Sequence, residues 1–163
     1  MDHALIAPHL SRPATRRHRF DILLVEDDHA QALVAQSAHR RAKLPGLLHL
    51  AQGGAEAISF LRREGRFTHK PTPDLVLLDV QMPHKSGWEV LEEIRADERL
   101  CVIPVLMLTT SSDAADIQHA YARHANAFLT KPDDLSGFIE LFHAIDQFWF
   151  HAAMLPSVET QFA

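Results

Sequence analysis

Leu75-Val76-Leu77-Leu78-Asp79 is an unbroken apolar run closed by a carboxylate. Three other short runs share that design. Ile22-Leu23-Leu24-Val25 leads into Glu26-Asp27-Asp28, Pro104-Val105-Leu106-Met107-Leu108 into Thr109-Thr110, and Phe128-Leu129-Thr130 into Lys131-Pro132. Continuous runs of this length, rich in Leu and Val, read as strands buried on both faces, the habit of a parallel sheet. In open α/β sheets the ligand crevice lies beyond the carboxyl ends of the strands. The pattern therefore gathers carboxylates, a hydroxyl and an ammonium around one crevice. That group can hold Mg²⁺ or Mn²⁺ and accept a phosphoryl group.

The segments between the runs have helical texture. Asp28 is an N-cap with Gln31 three residues on. The helix after it reaches about Ala42, with Leu33, Val34, Ser37 and Ala38 on its inward stripe. Pro45-Gly46 breaks it, and Leu47 to Ala51 is a short second strand. After Gly53-Gly54, a helix from Ala55 to Glu64 turns Ala57, Ile58 and Leu61 inward and is closed by Gly65. A loop holding Pro71 and Pro73 leads to a third strand over 74–79. The segment after Asp79 is a loop by its Pro and Gly, and a third helix spans about Trp88 to Ala96. Ser111, Ser112 and Asp113 are three candidate caps for a fourth helix reaching about His124. Asn126 to Thr130 is the fifth strand, and the last helix runs from near Asp134 to about His151, stopped by Pro156. The order is (βα)₅ with short connections, an α/β domain.

The chain of 163 residues suffices for one domain with a full core. Hydrophobic content of 47% marks it as globular, and a net charge of −5 gives no bulk reason to bind nucleic acid. The one cysteine, Cys101, excludes a disulfide framework and fits a reducing cytoplasm. No apolar stretch approaches the roughly 20 residues of a membrane span. Residues 1–19 read as a mobile extension; Arg16, Arg17 and Arg19 leave a small basic arm as the functional alternative. The twelve histidines include no pair at metal-binding helical spacing, so they read as solvated surface residues. There is no internal repeat.

Mg²⁺ takes oxygen ligands and is usually held by one or two carboxylates plus phosphate. Asp27 and Asp79 supply such carboxylates, Glu26 can act through a bound water, and the backbone carbonyl of Gln81 can add an oxygen. A carboxylate is also a competent nucleophile toward phosphorus, and transfer depends on positioning and charge neutralisation. Asp79, ending the run expected at the centre of the sheet, is the acceptor. Lys131 neutralises one side of the phosphoryl group and Thr109 can hydrogen-bond one of its oxygens. Each residue alone has a bland explanation: a helix start favoured by the macrodipole for Glu26-Asp27-Asp28, a turn residue for Asp79, a β-former for Thr109, a surface lysine for Lys131. Their joint placement at four strand ends points to one site.

The motifs Ile22 to Asp28, Asp74 to Pro83 with Ser86-Gly87, Pro104 to Thr109, and Phe128 to Pro132 resemble those of two-component response regulator receiver domains. The resemblance covers about residues 20–150, leaving 151–163 as a C-terminal tail. It implies a flavodoxin-like doubly wound sheet of strand order 2-1-3-4-5. It implies that Asp79 takes phosphate from a phosphohistidine on a partner sensor histidine kinase, with Glu26 and Asp27 as the acidic pair. Thr109 becomes the switch hydroxyl, Lys131 the family's lysine, and Phe128 the aromatic switch residue. It also implies a cis Lys131–Pro132 bond and a weak self-dephosphorylation tuned by Gln81 and Ser111. The long loop from Arg66 to Pro73, the segments 108–113 and 125–132, and Phe148-Trp149-Phe150 before Leu155-Pro156 look like the stand-alone regulators that accompany bacterial phytochromes. Ala127 and the N-terminal arm depart from that pattern. No DNA-binding output is expected; a phosphorelay intermediate or a phosphate sink for another kinase is the alternative role.

The last helix points to self-association independently. Leu135, Phe138, Ile139, Phe142, Ile145 and Trp149 form the stripe expected to face the sheet. Leu141, Phe148 and Phe150, with Met154 and Leu155, leave more apolar surface than one sheet face can cover. A homodimer through this helix and the tail is one reading; a core edge covered by the tail is the other. Two rival function classes fit poorly. A small aspartyl-phosphate hydrolase would want a second carboxylate where Gln81 stands. A flavin carrier would want a phosphate-cradling loop where Glu26-Asp27-Asp28 would repel phosphate.

Overall fold

The computed structural model describes residues 19–111 and 113–156. Five strands form one parallel sheet: β1 (Phe20–Val25), β2 (Gly46–Ala51), β3 (Leu75–Asp79), β4 (Val105–Thr109) and β5 (Ala127–Thr130). Their order is β2-β1-β3-β4-β5, the flavodoxin-like order that the motifs imply. Every residue of β3 and β4 is buried, because helices cover both faces. Alternation along each strand divides the core in two. Leu23, Val25, Val76, Leu78, Val105 and Met107 face one side, with α2 (Gly54–Leu61), α3 (Gly87–Ala96) and α4 (Ala114–Ala122). Ile22, Leu24, Leu75, Leu77, Leu106 and Leu108 face the other, with α1 (His29–Ala42) and α5 (Leu135–Ile145). Each such side chain contributes roughly 1.5–3 kcal/mol when fully buried. The helices are not equally anchored: α3 buries Gly87, Val90, Leu91 and Ile94, whereas α4 buries only Ala120.

Four local expectations need correction. On α1 the buried residues are Ala32, Ala35, Ala38, His39 and Ala42, and Leu33 is 48% exposed. Alanines face inward because α1 lies against both the sheet and α5; small side chains let it approach closely, and Leu33 is turned outward. His39, expected at the surface, is buried with its ring edge-on to Phe142, centroids 5.3 Å apart. At α2 the helix stops at Leu61, with Arg63 rather than Gly65 adopting a left-handed φ of 59° directly beyond its cap. Gly65 instead opens a single 3₁₀ turn, Gly65–Phe67.

The fourth correction concerns the end of the chain. α5 stops at Ile145 and continues as a π-helical segment, Asp146–Ala152. The amide of Ala153 donates to the carbonyl of Phe148 at 2.7 Å, five residues back, the π pattern. An α-helix would send Trp149, four residues after Ile145, to the sheet. The wider turn sends Phe150, five residues after, and Phe150 is only 2% exposed, stacked on Phe20 with centroids 4.1 Å apart. Phe150 therefore belongs to the chain's own core and offers no dimer surface. Phe148 is 57% exposed and Leu141 half-buried.

Burial holds the His39 imidazole below its ordinary pKa of 6.5. The folded state thus binds this proton less readily than the unfolded state. The resulting stability is full above the unfolded value near 6.5 and is lost as pH falls toward the folded value. Urea unfolding of wild type and His39→Gln at pH 7.5 and pH 5.5 should show a steeper loss for wild type. Equal losses would remove His39 from the acid response.

Candidate functional site

The carboxyl ends of β1, β3, β4 and β5 bring the expected residues together. Glu26 follows β1, Asp79 ends β3, Thr109 ends β4 and Lys131 follows β5. All four are buried, with exposures of 2%, 6%, 1% and 6%. The Lys131 ammonium donates to Asp79 Oδ2 at 2.9 Å and lies 2.5 Å from Glu26 Oε2. Asp27 is exposed, and one carboxylate oxygen each from Glu26, Asp27 and Asp79 lie within 4.8 Å of one another.

Local structure fixes these groups. The Glu26 amide donates to the Ala51 carbonyl at 3.0 Å, and its side chain accepts from the Asp28 amide at 3.1 Å. Asp28 caps α1 by accepting from the Gln31 amide at 3.0 Å, and that bond holds its carboxyl below the ordinary range. Asp79 Oδ1 accepts from the Gln81 amide at 3.2 Å, which ties Gln81 to the acceptor. The Lys131 amide donates to the Thr109 carbonyl at 2.7 Å. Thr109 Oγ1 accepts from the Ser111 amide at 3.0 Å, and Ser111 Oγ from the Asp113 amide at 3.2 Å. Of the three candidate caps for α4, Asp113 is the one used, donated to by Ala115; Ser112 lies outside the described residues. Phe128, on β5, is half-buried against the core beside α3. The Lys131–Pro132 bond is trans, since no described peptide bond is cis. The cis form expected there is the less stable isomer even for a bond to proline.

The electrostatics are those of a crowded buried cluster. Burial pushes the Glu26 carboxyl above its ordinary pKa, against the bond from Lys131 and with help from the Asp79 charge. Burial by itself would pull Lys131 down, but its bonds to Glu26 and Asp79 more than offset that and hold it above the ordinary lysine range. Two buried carboxylates share one ammonium while the third reaches solvent. An all-oxygen donor set with one open side suits a hard divalent cation such as Mg²⁺ or Mn²⁺, and a cation there would relieve the carboxylate crowding.

Two supports come from Ser86-Gly87, part of the motif pattern but without a role read from the sequence. A Cβ on Gly87 would lie 2.2 Å from the Asp79 carbonyl oxygen, so only glycine lets α3 begin against the end of β3. Ser86 caps that helix in a full capping box with Glu89. The pattern Ser86-Gly87-Trp88-Glu89 carries the signal for the box.

Fold and geometry define an α/β protein with an acidic, lysine-bridged pocket suited to a phosphoryl group and a divalent cation. The sequence matches the family model for the response regulator receiver domain over residues 22–143. Response regulator Rcp1 of Synechocystis sp. is 36% identical over 136 residues, which are 83% of this chain and 92% of Rcp1. Among solved structures, the phosphorylated cyanobacterial phytochrome response regulator RcpA is similar at 39% identity and TM-score 0.78, with 86% of this chain and 100% of RcpA covered. The Mn²⁺-bound form of Rcp1 is similar at 36% identity and TM-score 0.75, with 85% and 99% covered. The chain belongs to the response regulator receiver family, and phytochrome response regulators are among its relatives.

Removing the shared cation from this cluster should be costly. Lys131→Met leaves Glu26 and Asp79 facing each other without compensation. The expected loss is about 3 kcal/mol in urea unfolding with EDTA present. A loss below about 1 kcal/mol would mean that Lys131 does not hold the cluster together.

Proposed function

We propose that the chain is a response regulator that takes a phosphoryl group on Asp79 from a sensor histidine kinase of the phytochrome type. The observation that carries this reading is the buried Asp79 carboxylate on the central strand, bridged by Lys131 to Glu26. An Asp79 oxygen attacks phosphorus, the P–N bond of the kinase phosphohistidine breaks, and the nitrogen keeps the electron pair. Lys131 stays beside the acceptor and balances the charge that arrives, and the Gln81 amide keeps the carboxylate turned to the pocket. Glu26, Asp27, Asp79 and the Gln81 carbonyl would hold Mg²⁺, which would supply charge neutralisation on the phosphoryl oxygens. Thr109 then reaches a phosphoryl oxygen, Phe128 fills the space behind it, and the α4–β5–α5 face changes shape. Gln81 and Ser111 flank the water that removes the phosphate. The protein acts in the cytoplasm, through protein contacts. Among the described residues no helix is long and apolar enough to cross a membrane.

Intact-mass spectrometry after acetyl phosphate and Mg²⁺ should show one added phosphoryl group. Asp79→Asn and EDTA should each abolish it. Modification that persists in the variant would move the acceptor elsewhere.

The same reading includes a homodimer. Phe148, in the π-helical segment, is 57% exposed and Met154, just beyond it, 97% exposed, and clustered exposed apolar surface marks interfaces. Light scattering of the phosphorylated protein at micromolar concentration should give a dimer, and Phe148→Glu a monomer with unchanged phosphorylation. A wild-type monomer with and without phosphate would remove the dimer from the reading.

A further inference from the structure

A second cavity lies at the opposite edge of the sheet, where the chain enters β3 rather than where it leaves it. It holds about 480 Å³ and is bounded by the end of α2, the connection before β3 and the segment after α3. Small-molecule sites span roughly 300–1,000 Å³ and combine an apolar floor with a few convergent polar groups. Leu61 and Leu100, 3% and 4% exposed, close the cavity from beneath, and the exposed Pro71 gives it an apolar wall. Arg62, Arg63, Lys70 and Arg99 line the cavity with His69, against Asp97 as its one carboxylate. In a chain of net charge −5 this is a local concentration of positive charge.

The ion pairs already present leave part of that charge available. Asp97 is shared by Arg62 at 3.6 Å and Arg99 at 3.9 Å, and Arg62 also lies 3.5 Å from Glu93. Glu93 and Glu98 line the neighbouring recess, on the far side of Arg62 and Arg99. Among the described residues the Arg63 guanidinium makes one bond, to the Thr68 carbonyl at 3.3 Å, which leaves most of its donor fork unused there. Among the described residues no hydrogen bond or ion pair engages the Lys70 ammonium or the His69 ring. The wall is preformed. Thr68 Oγ1 donates to the Gly65 carbonyl at 2.7 Å, the Lys70 amide donates to the Phe67 carbonyl at 2.9 Å, and Arg66 stacks 4.9 Å from the Phe67 ring centre. Arg63 is held at a φ of 59°, a left-handed conformation that non-glycine residues seldom adopt.

We propose that this cavity binds a phosphate-bearing small molecule of nucleotide size. Its phosphates lie on Arg63, Lys70 and Arg99, and its apolar moiety lies against Pro71, above Leu61 and Leu100. Guanidinium groups pair with phosphate oxygens in bidentate fashion and an ammonium adds a point charge. The concave, floored shape favours a small molecule over an acidic protein segment, which would need a longer groove. The site is separate from Asp79 and stands whether or not Asp79 is phosphorylated.

Isothermal titration calorimetry with ADP, pyrophosphate and adenosine, in EDTA so that no metal–nucleotide complex reaches the acidic pocket, tests this. ADP should bind one-to-one with micromolar affinity, at least tenfold tighter than either pyrophosphate or adenosine. Arg63→Glu and Lys70→Glu, both at exposed positions, should each weaken ADP at least tenfold with an unchanged circular dichroism spectrum. Asp79→Asn should bind ADP as wild type does. No saturable ADP binding at millimolar concentration, pyrophosphate binding as tightly as ADP, ADP binding indifferent to both charge reversals, or its loss in Asp79→Asn would each overturn the proposal.

Discussion

The Lys131 ammonium, shared between Glu26 and Asp79, is the interaction around which the carboxyl edge of the sheet is organised. Each charge is buried, and each would carry a desolvation penalty of several kcal/mol alone. They are tolerable only together, so the ends of β1, β3 and β5 must meet at one point. β4 lies between β3 and β5, so Lys131 must pass the end of β4 to reach Asp79. The bond from the Lys131 amide to the Thr109 carbonyl holds it on that path. Thr109 itself ends β4, one residue beyond the partner of Asp79 in the sheet register.

Much of this was legible in the primary structure because strands buried on both faces leave unbroken apolar runs, and the residues ending those runs are the site. Glu26, Asp27, Asp79, Thr109 and Lys131 fall where the runs put them. What could not be read was set by contacts between distant segments. The Ala face of α1 wins over Leu33 because α1 packs on α5 as well as on the sheet. Phe150 enters the core, with Trp149 half-buried at its margin, because a π turn, invisible to a 3.6-residue period, lets Phe150 meet Phe20. The need for glycine at 87 comes from the approach of α3 to β3, a distance that no local pattern encodes.

The uneven anchoring of the helices bears on how a change at Asp79 could be felt elsewhere. α3 is fixed by its capping box, by three buried aliphatic side chains and by the close approach at Gly87. α4 is held to the core through Ala120, with Ile117 and Tyr121 left exposed. A shift of α4 therefore breaks little apolar contact, whereas a shift of α3 would break much.

A phosphoryl group on Asp79 would act on this imbalance through the loop after β4. Thr109 Oγ1 now accepts from the Ser111 amide, and Ser111 Oγ in turn accepts from the Asp113 amide at the start of α4. Turning the Thr109 hydroxyl toward a phosphoryl oxygen carries it away from the Ser111 amide. An amide left without an acceptor in a partly buried site costs about 1–3 kcal/mol. The loop can avoid that cost by following the hydroxyl, and Asp113 then takes the first turn of α4 with it. The phosphoryl group brings nearly two negative charges and three acceptor oxygens, enough for charge-assisted bonds that outweigh the few contacts α4 gives up. The direction of such a response would follow from which helix is least well held, and α4 buries one residue where α3 buries four.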